Sequence, residues 1–124
     1  SQCAILGDNV VLCDTVGTAN TDDMKEVLEL TSDIRSNWSL HLHHNYQRHE
    51  KIFDNVQVGY DYGITEFDSS IGGLGGCPFS PGSGANLATE ALVKWADTNN
   101  VDAGVSIEEL QESLDFVNKF CKSI

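Results

Sequence analysis

Apolar and polar positions along the chain predict three strands, each followed by a helix or a loop. The first strand is predicted at 9–15, where NVVLCDT is a short, apolar run rich in β-branched residues. The second is predicted at 38–44, where WSLHLHH alternates apolar and polar positions, and the third at 64–70, in ITEFDSS. Strands separated by helices indicate an α/β fold with a parallel sheet, and both faces of such a sheet need cover.

Helical spacing is found between these strands. The stretch ANTDDMKEVLELTSDI offers Thr21 as an N-cap, carries acidic residues in its first turn, and spaces its apolar residues for one buried face. A weaker helix is predicted in EKIFDNVQVGYDYG, with Gly63 ending it. Each of the first two strands therefore begins a strand-helix unit.

A glycine-rich loop is predicted at 71–85, where IGGLGGCPFSPGSGA contains six glycines and both prolines of the chain. Two helices are predicted after it, at 87–97 and 106–120. The second of them should begin with a capping box formed by Ser106 and Glu109, and it carries an apolar stripe. The chain thus ends in helices rather than in another strand.

The composition excludes two classes of partner. Seven Lys and Arg against nineteen Asp and Glu give a formal charge of −12, which repels nucleic acid and anionic membrane surfaces. No apolar run approaches the roughly twenty residues that cross a bilayer. The four cysteines are scattered without a CxxC pair, which fits reduced thiols in a cytosol-like compartment, either cytoplasm or mitochondrial matrix. The chain begins at Ser1 and its one methionine is Met24, so we expect a piece of a longer protein.

All four histidines lie in SLHLHHNYQRHE. Alternate residues of a strand share a face, so His41 and His43 should point the same way and both could reach one metal ion, whereas His44 should point to the opposite face. The competing interpretation is a polar strand end with solvated or hydrogen-bonded imidazoles. No role is predicted for His44, Arg48 or His49.

Three further residues lie where strands end or helices begin, and each has an ordinary structural interpretation beside a functional one. Asp14 ends the first strand and could be a turn or capping carboxylate. Cys77, within GGLGGCP, could be a small apolar filler. Asn86 precedes a helix and could be an N-cap. Taken singly, each is better explained by structure than by chemistry.

Their combination resembles a known family. The segment IGGLGGCPFSPGSGANLATEALV is similar to the Gly-Leu-Gly-Gly-Cys-Pro loop and following helix of the 3-hydroxy-3-methylglutaryl-CoA lyases. The similarity continues through LCDTVGT, HLHHNY, FDSS and VDAGVSIEEL, and so covers nearly the whole chain. Related metal-dependent aldolases and acyl-transferring synthases share the His-x-His strand, but the Cys-Pro loop is characteristic of the lyases.

The resemblance implies a TIM barrel and a divalent metal, Mg²⁺ or Mn²⁺, in a retro-aldol cleavage of an acyl-CoA substrate to acetoacetate and acetyl-CoA. It implies that His41, His43 and Asn86 are metal ligands, and that Cys77 and Asp14 are catalytic. Cys77 would donate a proton to the acetyl-CoA enolate, and Asp14 would orient the substrate or shuttle its hydroxyl proton. Glu90 could support the metal shell from behind.

The resemblance covers only part of a barrel. A TIM barrel has eight strands in about 250 residues, and this chain resembles the last three strand-helix units plus the C-terminal helices. We therefore expect the whole chain, 1–124, to be the C-terminal portion of a barrel domain that is inactive alone. Its expected partners are the missing N-terminal half or another chain, as in a homo-oligomer. The alternatives are a noncatalytic or partner-completed metal-binding or assembly module, and a related aldolase or acyl-transferring synthase of the same superfamily.

Overall fold

The computed structural model of the chain describes residues 9–34, 37–45, 52–76 and 83–121. Within these residues it contains four strands: β1 (Asn9–Asp14), β2 (Asn37–Asn45), β3 (Phe67–Asp68) and β4 (Ser83–Asn86). It also contains four α-helices: α1 (Thr21–Leu30), α2 (Ile52–Asp61), α3 (Thr89–Thr98) and α4 (Ile107–Phe120). The predicted α/β class is confirmed. No described helix is long and apolar enough to span a membrane.

The sheet is parallel across its first three strands, with β2 in the centre and β1 and β3 on either side. The register places Cys13 of β1 beside His41 of β2, and His41 beside Asp68 of β3. In the described part of the chain, β1 and β3 each pair with β2 alone, so both outer edges of this sheet lack a further strand. The described strands therefore form an open sheet and not a closed barrel.

One face of the sheet is packed against α1 and α2. Leu40 and Leu42 of β2 are 0% and 2% exposed, and they belong to a single apolar cluster that includes residues of both helices. The other members of this cluster are Met24 and Leu28 of α1, Ile52, Val56 and Val58 of α2, Ile64 after α2, and Leu87 after β4. Because alternate strand residues point to opposite faces, burial of Leu40 and Leu42 directs His41 and His43 to the other face.

The helix ends follow the expected chemistry with one correction. Ser106 and Glu109 form the predicted capping box at α4, with the Glu109 amide donating to Ser106 Oγ at 3.2 Å. At α1 the N-cap is Asn20, not Thr21, and Asn20 forms a capping box with Asp23. Asn20 has extended backbone and an amide oxygen that accepts the Asp23 N–H, which is the arrangement an N-cap needs.

Two sequence expectations about the third strand and the loop were wrong in part. The strand predicted at 64–70 is reduced to Phe67–Asp68, because Ile64 instead ends the turn after α2, with its N–H bound to the carbonyl of Gly59. The loop predicted at 71–85 begins with a short 3₁₀ turn, Ile71–Gly73. Its end is β4, which pairs antiparallel with the end of β2. The segment 77–82 lies outside the described residues.

Candidate metal-binding and catalytic site

The side chains of His41 and His43 lie together on the face of β2 away from the helices. Their ring centroids are 4.8 Å apart and the planes meet at 67°. Position on one strand therefore produces the predicted side-by-side imidazoles. His44, the next residue, is half-buried and lines a small cavity with Gly17 and Asn55.

Each of the two imidazoles is held through its Nδ1 atom by an acceptor. His41 Nδ1 lies 3.0 Å from Asp68 Oδ2, and His43 Nδ1 lies 3.2 Å from the backbone oxygen of Asp14. A carbonyl oxygen and an ionised carboxylate only accept hydrogen bonds, so Nδ1 must carry the hydrogen in both rings. In the neutral rings, both Nε2 atoms then keep their lone pairs, which is the form of histidine that ligates metals.

Asn86 is brought to the same place by the pairing of β4 with β2. Its partner in the antiparallel register is His43. The amide nitrogen of Asn86 donates to the carbonyl of Leu74 at 2.9 Å, whereas its oxygen, Oδ1, is buried and has no hydrogen-bond partner among the described residues. A buried amide oxygen without a partner costs free energy unless something polar meets it, which suits a ligand position.

The glycine-rich segment packs directly on this asparagine. Gly75 has φ of +98°, and a Cβ at this position would lie 2.7 Å from Asn86 Nδ2. Gly73 has a similar constraint, since its Cβ would lie 2.9 Å from the backbone oxygen of Asn86. Glycines at these positions therefore allow the segment to lie close enough for Leu74 to accept the Asn86 amide. Cys77, predicted to be catalytic, lies outside the described residues.

Asp14 contacts the turn that follows β1. Its two carboxylate oxygens accept the backbone N–H groups of Thr18 at 3.2 Å and Ala19 at 3.1 Å, as a turn carboxylate does. Within that turn Gly17 has φ of +65°, and a Cβ there would lie 2.6 Å from the backbone oxygen of His43. Asp14 thus shapes the turn with its side chain and holds His43 with its backbone. Its catalytic role stays a prediction.

Glu90 acts on the glycine-rich segment. Its Oε2 accepts the backbone N–H of Gly72 at 3.0 Å. Glu90 lies in the first turn of α3, so this bond ties the start of the segment to the helix that follows Asn86. Support for the site from Glu90 is therefore routed through the backbone of the segment.

Asp68 is the residue of the site that sequence reasoning missed. It pairs with His41 in the register of β2 and β3, and its carboxylate is the partner of the His41 ring. Its position at the carboxyl end of a predicted parallel strand was the available signal, because that edge carries the chemistry in α/β folds. Nothing in the local pattern distinguished it from an ordinary strand-end carboxylate.

The described donors fit a divalent cation only in part. Two imidazole Nε2 atoms and one amide oxygen are present, and all three groups are neutral. Among the described residues, no group of three or more His, Cys, Asp or Glu side chains comes together as a metal site. A hard cation such as Mg²⁺ prefers oxygen ligands that include carboxylates. These three donors alone would supply one side of a coordination shell rather than a complete one.

Comparison with known proteins agrees with the resemblance. No protein-family model matches the chain. The chain is 36% identical over 110 residues to a hydroxymethylglutaryl-CoA lyase of Bacillus subtilis. This match covers 87% of this chain and 36% of the relative. The chain is 31% identical over 117 residues to the cytoplasmic 3-hydroxy-3-methylglutaryl-CoA lyase of Danio rerio, covering 93% of this chain and 33% of the relative.

Solved structures give the same result. The fold matches the HMG-CoA lyase of Brucella melitensis with a TM-score of 0.78 at 30% identity, over 90% of this chain and 39% of that one. An HMG-CoA lyase from Acinetobacter baumannii, determined with coenzyme A and 3-methylmalate, matches with a TM-score of 0.71 at 32% identity, over 81% of this chain and 32% of that one. The chain is homologous to the 3-hydroxy-3-methylglutaryl-CoA lyases and spans about a third of the length of the curated relatives it matches.

Proposed function

We propose that the chain is the C-terminal part of a metal-dependent carbon-carbon lyase. In the complete TIM barrel it would take part in cleaving 3-hydroxy-3-methylglutaryl-CoA to acetoacetate and acetyl-CoA. The observation that carries the proposal is the convergence of His41, His43 and Asn86 at one end of β2, with both Nε2 atoms and a buried amide oxygen left for a ligand. The two relatives that are 36% and 31% identical to the chain are hydroxymethylglutaryl-CoA lyases.

The residues present have defined tasks in such a reaction. His41, His43 and Asn86 would hold the divalent cation, Mg²⁺ or Mn²⁺, through two nitrogen atoms and one oxygen atom. When bound, the cation supplies Lewis-acid stabilisation of negative charge on the substrate oxygens. The backbone carbonyl of Asp14 keeps the His43 ring in the required orientation. Leu74 does the same for the Asn86 amide.

Proton movement would be divided between two predicted catalytic residues. The tertiary hydroxyl of the substrate loses a proton as the adjacent carbon-carbon bond breaks, and Asp14 would orient this hydroxyl or accept its proton. The electron pair of the broken bond passes to the acetyl-CoA enolate, which Cys77 would protonate at carbon. A cysteine thiol suits this role because it is largely protonated near neutrality.

The glycine-rich segment would control access to this chemistry. Residues 72–76 lead into the region that carries Cys77. Hydrogen bonds from Gly72 to Glu90 and from Asn86 to Leu74 fix this segment at two points. Closure of such a segment over the substrate would exclude water and protect the enolate until it is protonated. The attachment of Leu74 to Asn86 would couple the position of the segment to the ligand side chain.

Completion of the barrel would occur at the open edges of the sheet. Beside β3 lies a groove of about 490 Å³, lined by residues of β3, α2, α3 and the segment after α3. Tyr60 and Trp95 meet edge to face within its lining, 5.6 Å apart. The unpaired edge of β3 and this groove are where we propose that the remaining strands and helices pack. They would bring the carboxylate ligands that the described residues lack.

A chimera tests the proposal. The region of the Bacillus subtilis lyase that matches this chain is replaced by residues 1–124, and acetoacetate formation from 3-hydroxy-3-methylglutaryl-CoA is measured with Mn²⁺. We expect turnover that Cys77→Ser slows far more than it weakens Mn²⁺ binding. A chimera that folds and binds Mn²⁺ but forms no acetoacetate would refute the lyase function.

The same experiment separates the alternatives. A noncatalytic metal-binding module predicts Mn²⁺ binding that depends on His41 and His43 but no cleavage in the chimera. A related aldolase or acyl-transferring synthase predicts activity on another acyl-CoA or 2-oxoacid under the same conditions. Calorimetric titration of the His41→Ala, His43→Ala double variant completes the comparison. If this variant binds Mn²⁺ as tightly as the wild type does, the proposed metal site is wrong.

A further inference from the structure

We infer that Asp68 is a positioning residue that sets the tautomer and ring orientation of His41, and so prepares one ligand of the proposed metal site. The inference rests on the proposed function for the identity of the ligand. The interaction between the two side chains is a property of the structure alone. Asp68 lies on a different strand from His41, and nothing in the local sequence connects them.

The geometry of the pair is that of a carboxylate-histidine couple. His41 and Asp68 are partners in the parallel register of β2 and β3, so their side chains project from the same face of the sheet. Oδ2 of Asp68 is 3.0 Å from Nδ1 of His41. Adjacent strands bring neighbouring side chains to this separation without rearrangement of the backbone.

The contact fixes which nitrogen of His41 is available. An ionised carboxylate only accepts, so the hydrogen of a neutral His41 ring stays on Nδ1 and the lone pair stays on Nε2. Free imidazole side chains exchange between two tautomers, and only a ring with a lone pair on the nitrogen facing the cation can bind it. Carboxylates that accept from the far nitrogen of a metal ligand raise its basicity and hold its plane.

The two histidines depend on different kinds of support. The partner of His43 is the backbone oxygen of Asp14, which no substitution of that residue removes. The partner of His41 is a side chain, and it can be deleted while the strand is left in place. Removal of the Asp68 carboxylate should therefore release His41 and leave His43 unchanged, which gives an internal control within one molecule.

The pair does little for stability. The side chains of His41 and Asp68 are 31% and 53% exposed, and a hydrogen bond between solvent-exposed side chains contributes little to folding, whether or not the ring is charged. A carboxylate that adds little stability but contacts a proposed ligand histidine is better explained by orientation of the ring. We therefore expect Asp68→Ala to leave the melting temperature nearly unchanged, whereas removal of a structural residue would lower it.

The first readout is the tautomer of His41 in the metal-free chain, from long-range ¹H–¹⁵N correlation spectra recorded where the rings are neutral. In the wild-type chain we expect both His41 and His43 to carry hydrogen on Nδ1. Asp68→Ala should give His41 a mixture of tautomers and leave His43 as it was. Asp68→Asn, whose amide oxygen still accepts, should restore the wild-type spectrum in part. An unchanged His41 spectrum in Asp68→Ala would overturn the inference.

The second readout is Mn²⁺ affinity in the chimera, measured by calorimetry. Loss of an outer partner of a histidine ligand typically lowers metal affinity about 10- to 100-fold, and we expect Asp68→Ala to fall in this range with Asp68→Asn between it and the wild type. The control is Asp115→Ala, which removes an equal charge from the exposed Gln111–Asp115 pair on α4. An equal loss in the control would mean that net charge, not orientation, is responsible, and would overturn the role at the metal.

The two readouts also separate this inference from the proposed function. If the wild-type chimera binds no Mn²⁺, the proposed metal site fails, whatever the spectra show. If it binds Mn²⁺ and Asp68→Ala binds equally well, the metal site stands and the positioning role of Asp68 is wrong.

Discussion

His43 and Asn86 are direct partners across the antiparallel pair of β2 and β4. The pairing joins the end of a central parallel strand to a short strand that returns after the glycine-rich segment. The pairing places the His43 ring beside the Asn86 side chain. Nδ1 of His43 is already hydrogen-bonded to the backbone of Asp14, whereas the amide oxygen of Asn86 is buried without a partner in the described part of the chain. The site therefore depends on a strand pairing that has no hydrophobic pattern behind it.

Asn86 has two proposed roles, as a metal ligand through its oxygen and as an anchor of the glycine-rich segment through its N–H, and substitution can separate them. In Asn86→Ala both the oxygen and the donor to Leu74 are lost, whereas Asn86→Asp keeps an oxygen and loses only the N–H. We expect Mn²⁺ affinity in the chimera to fall at least tenfold in Asn86→Ala and to be kept or increased in Asn86→Asp, since a carboxylate is the stronger ligand for hard cations. Calorimetry measures this difference.

Both substitutions should loosen the glycine-rich segment, because in each the Leu74 carbonyl loses its donor. Amide hydrogen exchange of the 72–76 backbone is the measurement, and faster exchange in both variants is the expected result. Equal Mn²⁺ affinity for wild type, alanine and aspartate would show that Asn86 is not a ligand. Unchanged exchange would show that its amide does not hold the segment.

Gly75 offers a test of close packing on the same asparagine. Gly75→Ala adds a Cβ that would lie 2.7 Å from Asn86 Nδ2, at a backbone φ of +98°. Gly63→Ala is the matched control, because its φ is +91° and its Cβ would meet nothing within 4 Å. Both variants should lose about 1–2 kcal/mol of unfolding free energy from backbone strain.

The difference between the two glycine variants should appear at the metal. We expect Gly75→Ala to lower Mn²⁺ affinity in the chimera, since Asn86 must move to admit the methyl group, and Gly63→Ala to leave it unchanged. Chemical denaturation and calorimetry on both variants provide the comparison. Parallel losses of affinity would indicate that general destabilisation, rather than displacement of Asn86, is the cause.

Much of the fold followed from patterns that are local in sequence. The buried strand β2 has alternating Leu40 and Leu42, so its period reveals both the strand and the face that carries His41 and His43. The start of α4 follows from the capping box of Ser106 and Glu109, which depends on residues only three positions apart. Such features need no knowledge of the rest of the molecule.

The errors came from tertiary contacts that outweigh local preference. Ile64 is apolar and β-branched, but it is buried against the helices after a turn, which shortens the strand predicted around it. The sequence SGAN has no apolar alternation, so β4 was not predicted, and it forms because the end of β2 offers it hydrogen-bond partners. Asp68 was missed for the same reason, since its role arises only when β3 lies beside β2.

The turn after β1 should depend on the carboxylate of Asp14. Asp14→Ala removes the acceptor of two backbone N–H groups, those of Thr18 and Ala19, and we expect a loss of about 1–2 kcal/mol in the free energy of unfolding. Asp22→Ala, at an exposed position in the first turn of α1, is the charge-matched control and should change stability by a few tenths of a kcal/mol. Urea denaturation of both variants gives the comparison. Equal stabilities would mean that the turn does not need its carboxylate.

Val11 gives the sharpest test of whether the open sheet is completed into a barrel. It is 48% exposed, and it lies on the face of β1 opposite Leu12, which packs against the apolar cluster. In register it is beside Ser39, on the same face of β2 as His41 and His43. In a closed barrel this face points inward, where an aspartate would be buried without a partner.

Val11→Asp should therefore have opposite consequences in two settings. In the isolated chain we expect unfolding free energy to change by less than about 0.5 kcal/mol, as for other exposed positions. In the chimera we expect a loss of several kcal/mol or failure to fold, because burial of an unpaired charge is costly. Leu30→Asp, at the last position of α1 with a side chain that is 78% exposed, should be tolerated in both. Thermal unfolding followed by circular dichroism measures all four proteins, and a chimera that tolerates Val11→Asp as well as Leu30→Asp would show that this face of β1 is not enclosed by a barrel.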